Sequence, residues 1–137
     1  MYLPSLHPDE ERTIRTFVTA ERRDKLLRQL PNPGKRAKAL ASLNHFKGWD
    51  TRYAKYLPFG ASVLDTLHAM GSPSHCYIIA ENPTLDTKTM KLGDAILAAE
   101  SSTSPTLLCC VPDRLAFFFD EIWAPRRRVL LAVPVTA

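Results

Sequence analysis

The spacing of apolar positions changes character near residue 72. Before it, apolar side chains recur three and four apart, the period of a helix with one buried stripe. Ile14, Phe17 and Val18 form the first such set. The stripe lapses over Glu21–Lys25 and resumes with Leu26, Leu27 and Leu30. Pro8 in a first turn, followed by Asp9, Glu10 and Glu11 near the positive end of the helix dipole, marks a helix start. Residues 8–30 therefore read as one bent helix or two short ones, with Thr19 placed to cap a second helix near Ala20. Asn32 as cap and Pro33 at the first helical position open the next helix. Its expected inward residues are Ala37, Leu40, Ala41 and Leu43, with Lys35, Arg36 and Lys38 outward. Residues 45–57 (HFKGWDTRYAKYL) show no regular period. Ser62 opens a short helix with Val63, Leu64, Leu67 and Met70 on one side, and Gly71 fits the left-handed position after its end.

Beyond residue 75 the apolar runs become short and continuous, as in strands buried on both faces. Cys76–Ala80, Thr106–Val111 and Leu115–Phe119 are such runs, and Pro125 is expected to end the last of these segments. Residues 127–135 read as a fourth strand, with Pro134 arguing for an edge position or a frayed end. Leu92, Ala95, Ile96 and Ala99 give a clear helix between the first two strands. The expected fold class is α+β, with an N-terminal helical layer of three to four helices packed on a mixed, roughly four-stranded sheet containing one β-α-β crossover. The 137 residues predict a single domain, mainly helical and basic over 1–71 and strand-helix-strand-strand-strand over 75–137.

Composition adds limits. No apolar run approaches the roughly 20 residues of a membrane-spanning helix. The start, with two prolines and an acidic cluster, does not read as a secretory signal. Three cysteines in apolar settings (Cys76, Cys109, Cys110) read as small buried hydrophobes, so a reducing cytoplasm is expected. The net charge of +4 conceals an asymmetry: residues 1–60 hold 12 Lys/Arg against 6 Asp/Glu, whereas residues 61–137 hold 6 against 8.

That asymmetry singles out the candidate chemistry. Single-stranded nucleic acid is held by rings that stack and cations that track phosphates, and 45–57 has this composition. Its Phe46, Trp49, Tyr53 and Leu57 are also spaced to pack one helical turn onto a sheet. Cations with interspersed acids equally suit an acidic protein surface. The expected partner-binding set is Arg22, Arg23, Arg28, Lys35, Arg36, Lys38, Lys47, Trp49, Arg52, Tyr53 and Lys55. A separate group, Glu81, Asp113, Asp120 and Glu121, lies near strand ends, where carboxylates can converge on a hard cation. Pro112-Asp113 before a strand, with Asp120 and Glu121 after it, resembles part of the restriction-endonuclease-like core. The lysine that family places two positions after its second acid is replaced here by Trp123. Zinc would need four converging soft ligands, and adjacent pairs such as His75-Cys76 supply at most one each. No phosphate-cradling glycine loop and no nucleophile motif occurs. Arg126, Arg127 and Arg128 form the densest cationic cluster, suited to deterring edge pairing or to gripping a phosphate or carboxylate.

The sequence thus leads to a small cytosolic, non-catalytic binding or regulatory protein, with no cofactor and no metal. Its basic, aromatic-containing face would meet an acidic protein or, second, nucleic acid. A metal-dependent hydrolase using the strand-end carboxylates is the alternative. A further one is a homo-oligomer or complex subunit whose site forms at an interface.

Overall fold

The computed structural model describes residues 6–121 and 126–134. The element order is α1 (Pro8–Phe17), α2 (Ala20–Gln29), α3 (Pro33–Ala41), β1 (Ala54–Tyr56), α4 (Val63–Ala69), β2 (His75–Ala80), β3 (Thr89–Lys91), α5 (Leu92–Ser101), β4 (Thr106–Val111), β5 (Leu115–Phe119) and β6 (Arg128–Ala132). The fold is α+β. No helix among the described residues is long and apolar enough to cross a membrane.

The single stretch 8–30 resolves into two helices. Val18 is extended and bridges to Trp49, while the Thr19 amide donates to Gly48 O (2.8 Å) and the Asp50 amide to Phe17 O (2.7 Å). The break is therefore a fixed corner against the 45–50 segment. Thr19 occupies the cap position of α2, but its side chain makes no capping bond. Gly48 is required at this corner, because a Cβ there would run into the buried Phe46 ring (2.9 Å from Cε2), as well as the movable Arg22 side chain. Asn32 caps α3 as its sequence implies, accepting from the Gly34 amide at 2.9 Å. The buried side of α3 differs from expectation. Ala39 and Leu40, with Leu43 beyond the helix, are buried, and Ala37 and Ala41 face solvent.

The sheet has six strands, not four, in the order β1-β6-β5-β4-β2-β3, and every neighbouring pair is antiparallel. The expected crossover between the strands at 76 and 106 is corrected accordingly. The hairpin strand β3 reverses the chain before α5, so β4 returns antiparallel beside β2, with β3 on the other side. β3 (TMK) and β1 (AKY) are three residues each, too short for an alternation to stand out from chance, which is why the pattern did not reveal them. β6 is interior rather than an edge, because β1 pairs with its outer side; Pro134 lies past its last residue. Pro125, Trp123 and Val135 fall outside the described residues.

Helices cover both faces of the sheet, not one. Alternate strand residues divide into two clusters. Tyr77, Ile79, Leu107, Cys109, Phe118 and Val129 pack beneath α1–α3 with Phe17, Leu26, Leu40 and Trp49. Ile78, Ala80, Leu108, Phe117 and Phe119 pack beneath α4 and α5 with Leu67, Leu92 and Ile96. This double burial explains the unbroken apolar runs of β2, β4 and β5.

One polar cluster sits inside the first layer. Arg36, expected on the outer side of α3, turns inward. Nε and Nη2 bond both oxygens of Asp86 (2.7 and 2.8 Å), Nη1 and Nη2 bond both oxygens of Glu10 (2.7 and 2.9 Å), and Nη1 also reaches Leu30 O (3.1 Å). All five guanidinium donors are used. The Tyr77 hydroxyl donates to Glu10 Oε1 (3.2 Å), the Ala80 amide donates to Asp86 Oδ1 (3.1 Å), and the His7 ring stacks on Tyr77 at 4.2 Å. Burial alone works against the charge on Arg36. The bonds and attraction of Asp86 and Glu10 outweigh it and hold the guanidinium above its ordinary pKa. Glu10 is 1 % exposed, so removing the cation strands a buried carboxylate. Arg36→Met is expected to cost about 3–5 kcal/mol in urea unfolding, and adding Glu10→Gln should recover part of it. A loss below about 1 kcal/mol would show that the cluster is not needed to dock the helices.

Candidate functional site

The strand-end carboxylates do not share a point. Asp113 lies in the β4–β5 turn, whereas Asp120 and Glu121 follow the other end of β5. Five residues of strand, about 17 Å, separate the two ends. Asp120 is 3 % exposed, and its Oδ1 accepts from the amides of His45 (2.8 Å) and Glu121 (2.7 Å). The His45 ring lies between Asp120 Oδ2 (3.9 Å from Nδ1) and Glu121 Oε1, which pairs with Nε2. Glu81 stands at the same sheet end and accepts a long bond from Asn44 Nδ2 (3.4 Å). Among the described residues no three His, Cys, Asp or Glu side chains are grouped to hold a metal ion. The geometry instead gives Asp120 a holding role. It fixes His45, whose φ is +52°, and so aims the next residue, Phe46.

Phe46 is the wall between two cavities. One, about 300 Å³, is lined by Phe46, Lys47, Trp49, Thr51, Ala54, Tyr56, Arg127 and Val129. It lies over the uncovered corner of the sheet where β1 and β6 pass beyond α1–α3. The other, also about 300 Å³, runs between α2 and α3 and is lined by Glu21, Arg22, Lys25, Leu26, Gln29, Lys38, Ser42 and Phe46. Together they present Lys47, Arg127, Arg22, Lys25 and Lys38 against a single acid, Glu21. Arg22 also lies over the Phe46 ring, 5.8 Å from its centroid.

The expected partner-binding residues are thus distributed unevenly. Arg22, Lys38 and Lys47 converge around Phe46, while Lys55 is exposed on β1 beside the first cavity. Arg28 and Lys35 are exposed but line neither cavity, and Arg23 donates to Arg15 O (3.2 Å). Arg36 is absorbed in the buried cluster. Arg52 binds Asp50 (Nη2–Oδ2 2.7 Å) and leans on Tyr53. That pairing holds the Asp50 carboxyl below its ordinary pKa. Trp49 is not an exposed anchor. It is 7 % exposed, stacked against Phe46 and Phe118, and it floors the first cavity with no hydrogen-bond partner for Nε1. Tyr53 is half-buried with its edge against Phe17. Several cavity residues lay outside the expected set, among them Phe46, Lys25, Tyr56 and Arg127. Tyr56 and Arg127 were legible as members of the aromatic–basic segment and the arginine cluster, but their proximity depends on β1 pairing with β6.

Of the twelve Lys/Arg in residues 1–60, only Arg15, Arg36 and Arg52 form ion pairs among the described residues. The free cations include every one lining the two cavities from that half. Comparison of the chain with protein-family models, curated proteins and solved structures finds no match.

The three cysteines are buried and unpaired. Burial pushes Cys76 from 9.0 up to about 12, aided by nearby Cys110, and pushes Cys110 up to about 11. Cys109 is also held well above its ordinary range by burial. Such thiols do not supply thiolate nucleophiles near neutrality. Because the folded-state values are raised, the folded chain keeps these protons where the unfolded chain loses them. Their stabilising contribution is complete below about pH 9 and falls as pH climbs from there through 11 to 12. Urea midpoints are expected to drop above about pH 9, by of order 1 kcal/mol per thiol per pH unit. Cys76→Ala should flatten that slope, and a slope unchanged by it would contradict the assignment.

Proposed function

We propose that this chain is a non-catalytic binding or regulatory module that engages an acidic protein partner through the surface centred on Phe46. The carrying observation is the pair of adjoining cavities whose five cations face outward, with one acid among their lining residues. Cations left without local ion pairs keep their field available for long-range attraction, and a half-apolar recess beside them accepts the anchor side chain that gives an interface its lifetime. An acidic protein is favoured over nucleic acid because Trp49 and Tyr53 are packed into the core. They are thereby withdrawn from the role of open stacking platforms. The carboxylate-based hydrolase receives less support, since Asp113 lies at the far end of the sheet and Asp120 is occupied by two amides.

The test uses a fluorescein-labelled acidic peptide and anisotropy. Binding is expected to weaken steadily as salt is raised, because exposed charges are screened. Lys25→Glu, Lys38→Glu and Lys47→Glu combined should weaken it at least about tenfold, with the thermal midpoint changed little since none of the three makes an ion pair. Affinity indifferent to both salt and charge reversal would overturn the proposal.

A further inference from the structure

β1 is the outer strand of the sheet, and its backbone polarity is half used. The Ala132 amide donates to Tyr53 O (3.1 Å) and the Leu57 amide to Arg128 O (2.8 Å). In an antiparallel ladder the residues two apart share a direction, so Tyr53, Lys55 and Leu57 address β6. Ala54 and Tyr56 therefore present their backbone groups on the opposite edge. The Ala54 amide is taken by Asp50 O (3.1 Å). This leaves the Ala54 carbonyl and both polar groups of Tyr56 on an edge that no strand among the described residues covers.

Side chains alternate in the complementary way. Ala54 and Tyr56 lie on the side of the first cavity, and Lys55 lies on the other side, exposed. An extended segment laid along this edge would direct alternate side chains toward the cavity and the intervening one beside Lys55. Just past β1, Phe59 is 93 % exposed on a turn whose ends are both gripped by Arg128 (Nη2 to Pro58 O 2.7 Å, Nη1 to Ala61 O 3.2 Å). Phe59, three residues from Tyr56, which is itself 70 % exposed, adds exposed apolar surface just past the end of β1.

Charge selects the occupant. Lys47 and Arg127 rim the cavity, Lys55 stands on the other side of the edge, and no acid lines the cavity. A second copy paired about Lys55 would set that lysine opposite itself, which is repulsive. The acids of such a segment meet the opposite sign at Lys55, and Lys47 and Arg127 add longer-range attraction for the segment as a whole.

We propose that the free edge of β1 receives an extended acidic segment of a partner protein as a seventh strand. Apolar side chains of that segment alternate with its acids and enter the cavity floored by Trp49. The inference rests on the binding role of the Phe46-centred surface and specifies how the partner is held.

The probe is a short blocked peptide alternating leucine with glutamate. It is compared with the same peptide N-methylated at alternate residues in either phase, and with its lysine-for-glutamate counterpart. Tyr56→Pro removes one outward amide while sparing the ladder to β6, as proline is tolerated on an edge strand; Tyr56→Ala controls for the lost ring. Tyr56→Ala sets the baseline for loss of the cavity-lining ring. Tyr56→Pro is expected to bind the glutamate peptide at least about tenfold more weakly than that baseline, and one N-methylated phase to bind the unaltered protein at least about tenfold more weakly than the parent peptide. Lys55→Glu should weaken the glutamate peptide and favour the lysine one. Salt-sensitive binding that ignores both N-methylation phases and Tyr56→Pro would overturn strand addition while leaving the basic binding surface intact. Failure of the glutamate peptide to bind at low salt would overturn both. Displacement of a bound peptide by a tighter-binding oligothymidylate would overturn the acidic-protein partner in favour of nucleic acid. If Tyr56→Pro lowers the thermal midpoint below that of Tyr56→Ala, the N-methylated peptides decide the question, because they leave the protein unchanged.

Discussion

A single guanidinium holds the helical layer to the sheet. Arg36 leaves α3, meets Glu10 of α1, and meets Asp86 in the loop after β2, so one side chain joins three parts of the chain. Apolar contact is non-directional and tolerates sliding, whereas two bidentate carboxylate forks fix both distance and angle. The cluster therefore sets where α1 and α3 sit over β2. The corner at Val18 and the 45–50 segment follow from that placement, since Thr19 and Asp50 bond across it. Its cost is the burial of three charges, which a wholly apolar contact would avoid, and its return is a unique docking geometry.

The helices and the long strands were legible because burial imposes a period. The caps at Asn32 and Ser62 each accept a backbone amide as their residue types imply, and His7 does so without such a signal. The runs HCYIIA, TLLCCV and LAFFF announced strands covered on both faces, yet covering helices were expected on one face only. α5 was visible from Leu92 to Ala99, but nothing local says on which side of the sheet a helix lies. The three-residue strands β1 and β3 left no pattern at all, and without β3 the chain direction at β4 comes out reversed. The inward turn of Arg36 was equally hidden. A long cationic side chain on a helix reads as solvent-facing until its carboxylates, 26 and 50 residues away, are known to be near.

Much of the candidate surface could be read in the same way. Lys38, Lys47 and Arg22 belonged to the expected basic set, and their lack of ion pairs was the condition on which that reading stood. The aromatic spacing of 46, 49, 53 and 57 carried two meanings, stacking platform or core stripe. The structure takes the second: Phe46 and Trp49 are buried in the first cluster, although both also line a cavity. Tyr56 and Arg127 entered only through the pairing of β1 with β6, a contact between positions some seventy residues apart.

That pairing has a consequence for biogenesis. Ala54 meets Leu131, and Tyr56 meets Val129, across more than seventy residues of chain. Loop closure of this length is slow and entropically costly, so β1 joins late whatever the order of earlier events. During synthesis β1 must wait at the ribosome until β6 has emerged, and Val129 and Arg127, which complete the cavity wall, emerge with it. A chain whose β6 has not yet emerged can already hold the Arg36 clasp, yet the recess beside Trp49 still lacks the wall that Arg127 and Val129 supply.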